Sequence, residues 1–274
     1  MSEPTPGARA MDRLLDLMAR LRAPDGCAWD REQTPATLKP QMLEECYEVI
    51  EAIDACSPGH LTEELGDLLL HIVFQAQIAR EAGEFVFADV ANGIADKLIR
   101  RHPHIFGDRK VADAAGVVEQ WHQLKKAEKP ERESALDGVP RALPALMRAQ
   151  ALQEKARRVG FDWPDVRGAL DKVREEVAEV TKEIESDLAL ARASEAKFTP
   201  APETAEEIGD LLFSIVNLTR HLKLDAEELL TGANDKFARR FRAVEARLKA
   251  QGKTMTDCTL EELDAAWNAV KAEV

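Results

Sequence analysis

The sequence predicts an all-α protein built as a tandem repeat of two helical modules. Aromatic residues are only 5 % of the 274 residues, and the abundant residues Ala, Leu, Glu, Lys and Arg favour helices. Apolar residues recur at helical spacing in both halves, with turn residues between the periodic segments. The second half also repeats short stretches of the first in the same order, which indicates a duplicated module.

The periodic segments define the helices and the modules. Helical spacing runs through residues 14–21, 43–53, 61–78 and 90–99 of the first half, and through 146–159, 170–190, 208–222 and 237–248 of the second. A charged, proline-containing stretch separates the halves and has the composition of a linker. We therefore predict a disordered N-terminus at 1–10, a first module at 11–128, a linker at 129–140 and a second module at 141–274.

The repeated stretches contain acidic, basic and tryptophan positions. ELGDLLLHIVF at 64–74 returns as EIGDLLFSIVN at 207–217, and EECYEVIEAI from Glu44 returns as EEVAEVTKEI from Glu175. DKLIRR at 96–101 returns as DKFARR at 235–240, and WHQLK from Trp121 returns as WNAVK from Trp267. Common ancestry of the two modules explains this order better than coincidence does.

Composition excludes several classes of protein. Lys and Arg total 37 against 50 Asp and Glu, and the net charge of −13 disfavours nucleic acid as a partner. No apolar run approaches the roughly 20 residues that span a bilayer, so no membrane partner is expected. The four cysteines are scattered without metal-ligand spacing and are interpreted as reduced thiols. We expect a cytoplasmic protein.

The acidic repeats predict a metal site in each module. Carboxylates three residues apart share one helix face, and two such faces can meet across a helical hairpin. The residues are Glu45, Glu48, Glu64 and Asp67 in the first module, and Glu176, Glu179, Glu207 and Asp210 in the second. Clustered carboxylates repel one another unless a cation lies between them, and Mg²⁺ prefers such oxygen ligands, with Mn²⁺ as a substitute. A single ExxE is usually a solvated helix face, but the ordered repetition favours metal binding.

The basic and tryptophan repeats predict the complementary half of a nucleotide site. Lys97 and Arg101, like Lys236 and Arg240, are separated by one helical turn and can bind one anionic group together. Such a stretch is also common on solvated helix faces. Trp267 and Lys271 are likewise one turn apart, so the indole can stack on a base or pack the module core. His71 has no histidine counterpart in the second module, and we interpret it as a local feature.

These motifs resemble those of the all-α nucleoside triphosphate pyrophosphohydrolases, and most closely the MazG family. The resemblance rests on EExxE followed by ExxD, the KxxRR block and the late tryptophan, and it extends from about Met11 to Lys271. It implies metal-dependent cleavage of an NTP such as ATP, or of a dNTP, to the monophosphate and pyrophosphate in nucleotide-pool housekeeping. It also implies a homodimer or higher homo-oligomer whose modules pair into helical bundles.

The resemblance assigns roles mainly to the second module. The resemblance implies that Glu176, Glu179, Glu207 and Asp210 are the metal ligands and catalytic carboxylates of the second module. It also implies that Glu175, beside them, positions water. The phosphate and nucleotide contacts of the second module become Lys236, Arg239, Arg240, Trp267 and Lys271. The mechanistic hypothesis is that metal-activated water attacks the α-phosphorus and pyrophosphate leaves.

The two modules are expected to contribute unequally. The C-terminal module carries most activity in two-module relatives, according to the resemblance. In addition, Pro103 should end the basic helix of the first module just after Arg101, which would leave Lys97 and Arg101 near a frayed terminus. The first module nevertheless keeps every acidic position. The alternative function is a nucleotide-sensing or protein-interaction scaffold without turnover.

Overall fold

The computed structural model describes residues 3–111, 113, 116–117, 120–121, 124–125, 128 and 133–273. The chain divides into two compact units, Met1–Pro130 and Glu131–Val274. The described residues form helices, turns and loops without a β-strand, so the all-α prediction is confirmed. None of their helices combines the length and the apolar character that crossing a bilayer requires.

The first unit starts its helices earlier than the sequence predicts. Its helices are α1 Pro6–Leu21, α2 Ala28–Glu32, α3 Lys39–Asp54, α4 Pro58–Ala82, α5 Phe87–Arg101 and α6 Pro103–Phe106. Helix α1 thus begins inside the stretch expected to be disordered. Thr5 caps it by accepting a hydrogen bond from the Ala8 amide, and Pro6 suits a first helical position because its nitrogen needs no acceptor there.

The core of the first unit lies where α1 crosses the α3–α4 hairpin. Met18, Leu38, Val73 and Phe74 are buried there. The Arg22 guanidinium lies 5.4 Å from the Phe74 ring centroid and also binds Glu81 at 2.7 Å, which covers the edge of the core with an ion pair. This core fixes the helical pair that carries the first acidic cluster.

The second unit begins with part of the stretch predicted to be a linker. Its helices are α7 Ala145–Arg157, α8 Val166–Ala193, α9 Pro202–His221, α10 Ala226–Ala250 and α11 Leu260–Glu273, with a 3₁₀ turn at Met255–Asp257. The Ser134 amide donates to the Asp137 carboxylate at 3.0 Å, and Lys155 of α7 donates to the Asp137 carbonyl at 2.5 Å. Residues 133–138 are therefore held against the second unit.

Two polar contacts align α8 with α9 as an antiparallel hairpin. Near the end of α8, Asp187 accepts hydrogen bonds from the Ala201 amide at 3.0 Å and the Thr204 hydroxyl at 2.6 Å. Just before α8, Asp162 accepts from Arg220 and faces His221 at 3.0 Å, both on α9. Because each end of one helix is joined to the opposite end of the other, the carboxylates in the middle of both helices face each other.

The basic helices of the two units differ in length, as the sequence predicts. Helix α5 ends at Arg101 because Pro103 follows, whereas α10 continues past Arg240 to Ala250. The extension has an apolar role, since Val244 and Leu248 pack with Val270 of α11. The longer helix thus joins α11, which carries Trp267, to the rest of the second unit.

Candidate metal and nucleotide site

The α8–α9 hairpin brings together three carboxylates that were predicted as metal ligands. Oxygens of Glu176, Glu207 and Asp210 lie within 4.8 Å of one another. Glu176 is only 4 % exposed, and its Oε2 is buried with no hydrogen-bond partner among the described residues. Burying a carboxylate oxygen without a hydrogen-bond donor costs free energy. A cation bound at this oxygen would offset that cost.

The charges in this cluster oppose ionisation of Glu207. Burial, followed by the negative charges of Glu179, Glu176 and Asp210, raises the pKa of the Glu207 carboxyl above its usual range. Glu179 thus lies near enough to act on the cluster electrostatically. A divalent cation would relieve this repulsion, and the all-oxygen donor set fits a hard ion such as Mg²⁺.

Lys172 supplies a positive charge that the sequence analysis did not identify. Its ammonium lies 2.7 Å from Glu176 Oε1 and 2.8 Å from Glu175 Oε1. These contacts raise the pKa of Lys172 and draw the Glu175 side chain toward the lysine. The signal was present in the sequence, because Lys172 is one helical turn before both glutamates.

The predicted phosphate-binding residues lie on α10. Lys236 and Arg239 are exposed, whereas Arg240 is half-buried and its Nε is buried without a hydrogen-bond partner. Within the described part of the chain, these side chains form no ion pair with the carboxylate cluster. The carboxylate cluster therefore does not neutralise these positive charges, and they remain available to bind an anion.

Trp267 of α11 contacts α10 through the ring of Phe237. The Trp267 and Phe237 ring centroids are 5.3 Å apart, and Phe237 is next to Lys236 in sequence. Phe237 also stacks on Phe241 at 5.8 Å. The indole is partly exposed, and Lys271 is exposed one turn later on α11. Trp267 therefore packs against α10 and still presents surface that a base can reach.

The α3–α4 hairpin forms the corresponding cluster in the first unit. Carboxylate oxygens of Glu45, Glu48 and Glu64 lie within 4.8 Å of one another, and Glu64 is 6 % exposed. A hydrogen bond between the Glu48 and Glu64 carboxyl groups raises the pKa of Glu48. Burial, followed by the Asp67 charge, raises the pKa of Glu45. Three of the four predicted residues are thus brought together here, and Asp67 lies near enough to act on Glu45 electrostatically.

Two histidines accompany the first cluster. His60 Nε2 lies 2.8 Å from Glu64 Oε1, one turn before it on α4. His71 Nε2 lies 3.9 Å from Glu45 Oε1, and burial lowers the pKa of His71. The corresponding positions in the second unit are Glu203 and Ser214. The local feature predicted at His71 therefore lies beside the carboxylates.

The expected fraying at the end of α5 does not apply to Arg101. Its guanidinium is 7 % exposed and binds Glu128 Oε2 through Nε at 3.0 Å and NH2 at 2.5 Å, while Lys97 is exposed. The expectation was wrong for this side chain because a carboxylate distant in sequence holds it in place. Arg101 thus already has an anionic partner, whereas Arg240 forms no ion pair within the described ranges.

Comparisons with known proteins agree with these motifs. The family model of the MazG nucleotide pyrophosphohydrolase domain matches residues 33–106 and 167–244. A nucleoside triphosphate pyrophosphohydrolase of Escherichia coli K12 is 47 % identical over 266 residues, which cover 96 % of this chain and 97 % of the relative. A nucleoside triphosphate pyrophosphohydrolase/pyrophosphatase MazG of Thermotoga maritima is 43 % identical over 261 residues, covering 95 % of each chain. The chain belongs to the MazG nucleotide pyrophosphohydrolase family.

Proposed function

We propose that this chain hydrolyses nucleoside triphosphates, ribo or deoxyribo, to the monophosphate and pyrophosphate, with the second module as the principal site. The observation that carries the proposal is the cluster of Glu176, Glu207 and Asp210, in which the buried Glu176 has an unpartnered oxygen. Family membership and the names of the full-length relatives support the same activity.

The carboxylates fit a divalent cation, which we propose is Mg²⁺. Glu176, Glu179, Glu207 and Asp210 would hold it, because their oxygens converge between α8 and α9 or lie beside that point. When bound, such an ion neutralises triphosphate charge and makes a bound water more acidic. Glu175 is proposed to orient water at the exposed edge of the cluster, where Lys172 now holds its carboxylate.

The residues of α10 and α11 are proposed to bind the nucleotide. Lys236 provides a point charge, and Arg239 and Arg240 provide planar forks that suit phosphate oxygens. Trp267 is proposed to stack on the base while Lys271 adds charge beside it. Hydrolysis adds water across the bond from the α-phosphorus to the bridging oxygen, so the arginines would also stabilise charge developing on pyrophosphate.

Product analysis tests the activity directly. The purified chain is incubated with a panel of NTPs and dNTPs in Mg²⁺, and the products are separated and quantified. We expect monophosphate and pyrophosphate in equal amounts, loss of turnover in EDTA and recovery with Mg²⁺ or Mn²⁺. Orthophosphate as the first product, or full turnover by metal-free protein, would reject the proposal.

The alternative is a nucleotide sensor or protein-interaction scaffold, favoured for the first module by the ion pair that already occupies Arg101. A sensor would bind nucleotide stoichiometrically without releasing pyrophosphate. Isothermal titration of a variant with Glu176→Gln, Asp210→Asn, Arg240→Gln and Trp267→Leu isolates the first module within the full chain, because these changes remove proposed metal ligands and proposed nucleotide contacts of the second module. Nucleotide binding without product in that variant would assign sensing to the first module.

A homodimer or higher homo-oligomer is part of the proposal. Large apolar side chains on α8 and α9 are exposed in the single chain, among them Val177 at 48 %, Ile208 at 43 % and Leu212 at 52 %. Exposed apolar surface of this kind is typical of an interface between subunits. Light scattering after size exclusion should give at least twice the chain mass of 30.4 kDa, and Leu212→Glu should lower it.

We also propose a cytoplasmic location. Cys27, Cys46, Cys56 and Cys258 are all unpaired thiols, which suits a reducing compartment. Fractionation of cells that express the tagged chain, with a periplasmic marker as control, tests the location.

A further inference from the structure

Asp187 is a buried carboxylate that lies outside the cluster of proposed metal ligands. It is 6 % exposed, and its Oδ2 accepts hydrogen bonds from the Ala201 amide at 3.0 Å and the Thr204 hydroxyl at 2.6 Å. Thr204 is only 2 % exposed. The Thr204 hydroxyl and then the Ala201 amide hold the pKa of Asp187 below its usual range. Burying an ionised carboxylate costs free energy unless it is hydrogen-bonded, so these two donors are what allow Asp187 to be buried.

The Asp187 contact joins the two helices that carry the proposed metal ligands of the second module. Asp187 lies 11 residues after Glu176, which is about three helical turns, so both residues are on the same face of α8. Thr204 lies one turn before Glu207 on α9. Sliding one helix along the other by a single residue moves its side chains by about 1.5 Å. The offset that Asp187 fixes between the helices is therefore also the offset between Glu176 and Glu207.

The first module closes its hairpin with a short turn instead. Helix α3 ends six residues after Glu48, and three residues, 55–57, lead into α4. Helix α8 continues for 14 residues after Glu179, and eight residues, 194–201, connect it to α9. Eight residues can span up to about 28 Å, whereas packed helices lie about 10 Å apart. The longer loop thus allows several offsets between the helices, and Asp187 selects one of them.

We propose that Asp187 and Thr204 are positioning residues that align α8 with α9 and thereby determine the Mg²⁺ affinity of the second module. The proposal rests on the metal role proposed for Glu176, Glu207 and Asp210. Mg²⁺ demands near-ideal octahedral geometry, so it binds only while the carboxylates of both helices converge. If the hairpin is aligned for only a fraction of the time, the apparent Kd for Mg²⁺ rises by the inverse of that fraction.

The test removes one hydroxyl group and measures Mg²⁺ binding by calorimetry. All proteins are full-length and carry Glu45→Gln and Asp67→Asn, so that binding is measured at the second module. Thr204→Val keeps the size of the side chain but leaves Asp187 with a single donor, so the Kd for Mg²⁺ should rise at least about tenfold. Thr204→Ser keeps the hydroxyl, and its Kd should stay within about threefold of the Kd of the parent protein.

Ser194→Ala is the matched control, because it removes a hydroxyl from the same loop. The Ser194 hydroxyl donates to the Leu190 carbonyl at 2.8 Å, within the end of α8, and does not join the two helices. The substitution should change the Kd for Mg²⁺ by less than about threefold. Equal Mg²⁺ affinities of the Thr204→Val and Thr204→Ser proteins, both folded at the temperature of the titration, would overturn the proposal.

A second measurement uses the wild-type chain and does not depend on the folding of a variant. If Mg²⁺ binds only the aligned hairpin, it must also stabilise the alignment, because coupling between two events is reciprocal. Hydrogen exchange of the Ala201 amide, which donates to Asp187, is followed by NMR with and without Mg²⁺. At about ten times the Kd, Mg²⁺ should slow this exchange about tenfold. An unchanged Ala201 rate at saturating Mg²⁺ would overturn the proposal.

The Arg167 amide is the internal control for this exchange measurement. It donates to Asp165 at 2.8 Å at the start of α8, nine residues before Glu176. Mg²⁺ should change its exchange rate by less than about twofold, because helix ends open locally. Equal slowing of the Arg167 and Ala201 amides would overturn the proposal, since it would show a general stabilisation of the second unit.

Both measurements are made without nucleotide, which separates this proposal from the proposed activity. Mg²⁺ binding that depends on Thr204 as expected, in a chain that forms no monophosphate, would support the positioning role and reject only the activity. A wild-type chain that binds no Mg²⁺ would overturn the positioning role together with the proposed metal role of the cluster.

Discussion

Lys172 Nζ lies 2.7 Å from Glu176 Oε1, while Glu176 Oε2 is buried without a hydrogen-bond partner among the described residues. One oxygen of this carboxylate is thus neutralised by an ammonium and the other is available to a cation. In the first module the corresponding residue to Lys172 is Gln41, which carries no charge. The lysine therefore distinguishes the electrostatics of the two clusters.

Replacing Lys172 should separate metal affinity from stability. In Lys172→Met, loss of the positive charge should strengthen Mg²⁺ binding, because two cations near one carboxylate repel each other. The metal-free variant should unfold at a lower temperature, since Glu176 loses its partner. Calorimetric titration and thermal unfolding in EDTA measure both effects. Arg174→Met is the control, because Arg174 is 68 % exposed on the same helix and pairs with Asp171. Weaker Mg²⁺ binding in Lys172→Met would contradict this account.

Neutral substitutions should affect the two modules differently. Glu176→Gln or Asp210→Asn should remove most of kcat, a loss of about 100-fold or more, because each withdraws a proposed metal ligand. The matched changes Glu45→Gln and Asp67→Asn should leave most of kcat. Steady-state kinetics of all four proteins, after their folding and oligomeric mass are shown to be normal, measures the difference. If the first-module changes were the more damaging, the principal site would be in the first module.

The raised pKa of Glu207 predicts a pH-dependent stability of the metal-free protein. A carboxyl group whose pKa is raised by folding stabilises the native state below its unfolded pKa, and this contribution is lost as pH rises through the raised value. Relative to Glu207→Gln, the wild-type chain in EDTA should therefore lose stability as the pH rises above about 4. Urea unfolding at a series of pH values measures the difference, in which titrating groups that do not interact with Glu207 cancel. Saturating Mg²⁺ should abolish the trend, and a difference independent of pH would refute it.

Trp267 should contribute to nucleotide affinity beyond its packing on Phe237. Trp267→Leu keeps an apolar side chain against α10 but removes the stacking surface, so KM should rise at least about fivefold while kcat changes little. Trp163→Leu is the control, because Trp163 is a half-exposed indole of the same unit outside the proposed nucleotide contacts. An unchanged KM in Trp267→Leu, with a lowered unfolding temperature, would assign the indole to packing alone.

Gly168 should be intolerant of a side chain although it lies in a helix. A Cβ there would be 2.9 Å from Trp163 Cε3, so the indole would have to move away from α8. Gly232 in α10 has nothing within 4 Å of its Cβ position. Gly232→Ala should thus raise the free energy of unfolding by about 0.5–1 kcal/mol. The Gly168→Ala protein should be less stable than the Gly232→Ala protein by about 1–2 kcal/mol. Denaturant unfolding measures both, and equal stabilisation would show that the Trp163 ring moves freely.

Much of the fold was predictable because its signals are local or repeated. Apolar residues at helical spacing predicted the long helices, each of which buries one face. Pro103 predicted the end of α5. Internal repetition predicted the acidic clusters, since carboxylate pairs that recur on successive helices of both modules can meet across a helical hairpin. The start of α1 was missed, because a Thr-Pro cap is a weaker signal than the polar composition around it.

The sequence by itself thus determined the all-α class and the two modules, and it supplied the residues that we propose carry the chemistry. Only the tertiary structure decided how those charges are partnered. Arg101 is bound by Glu128 whereas Arg240 forms no such pair among the described residues, and His71 faces Glu45 from the next helix. These pairings join residues distant in sequence, and their distances depend on side-chain packing between helices. Helical spacing fixes which residues share a face, but it does not fix what lies opposite that face.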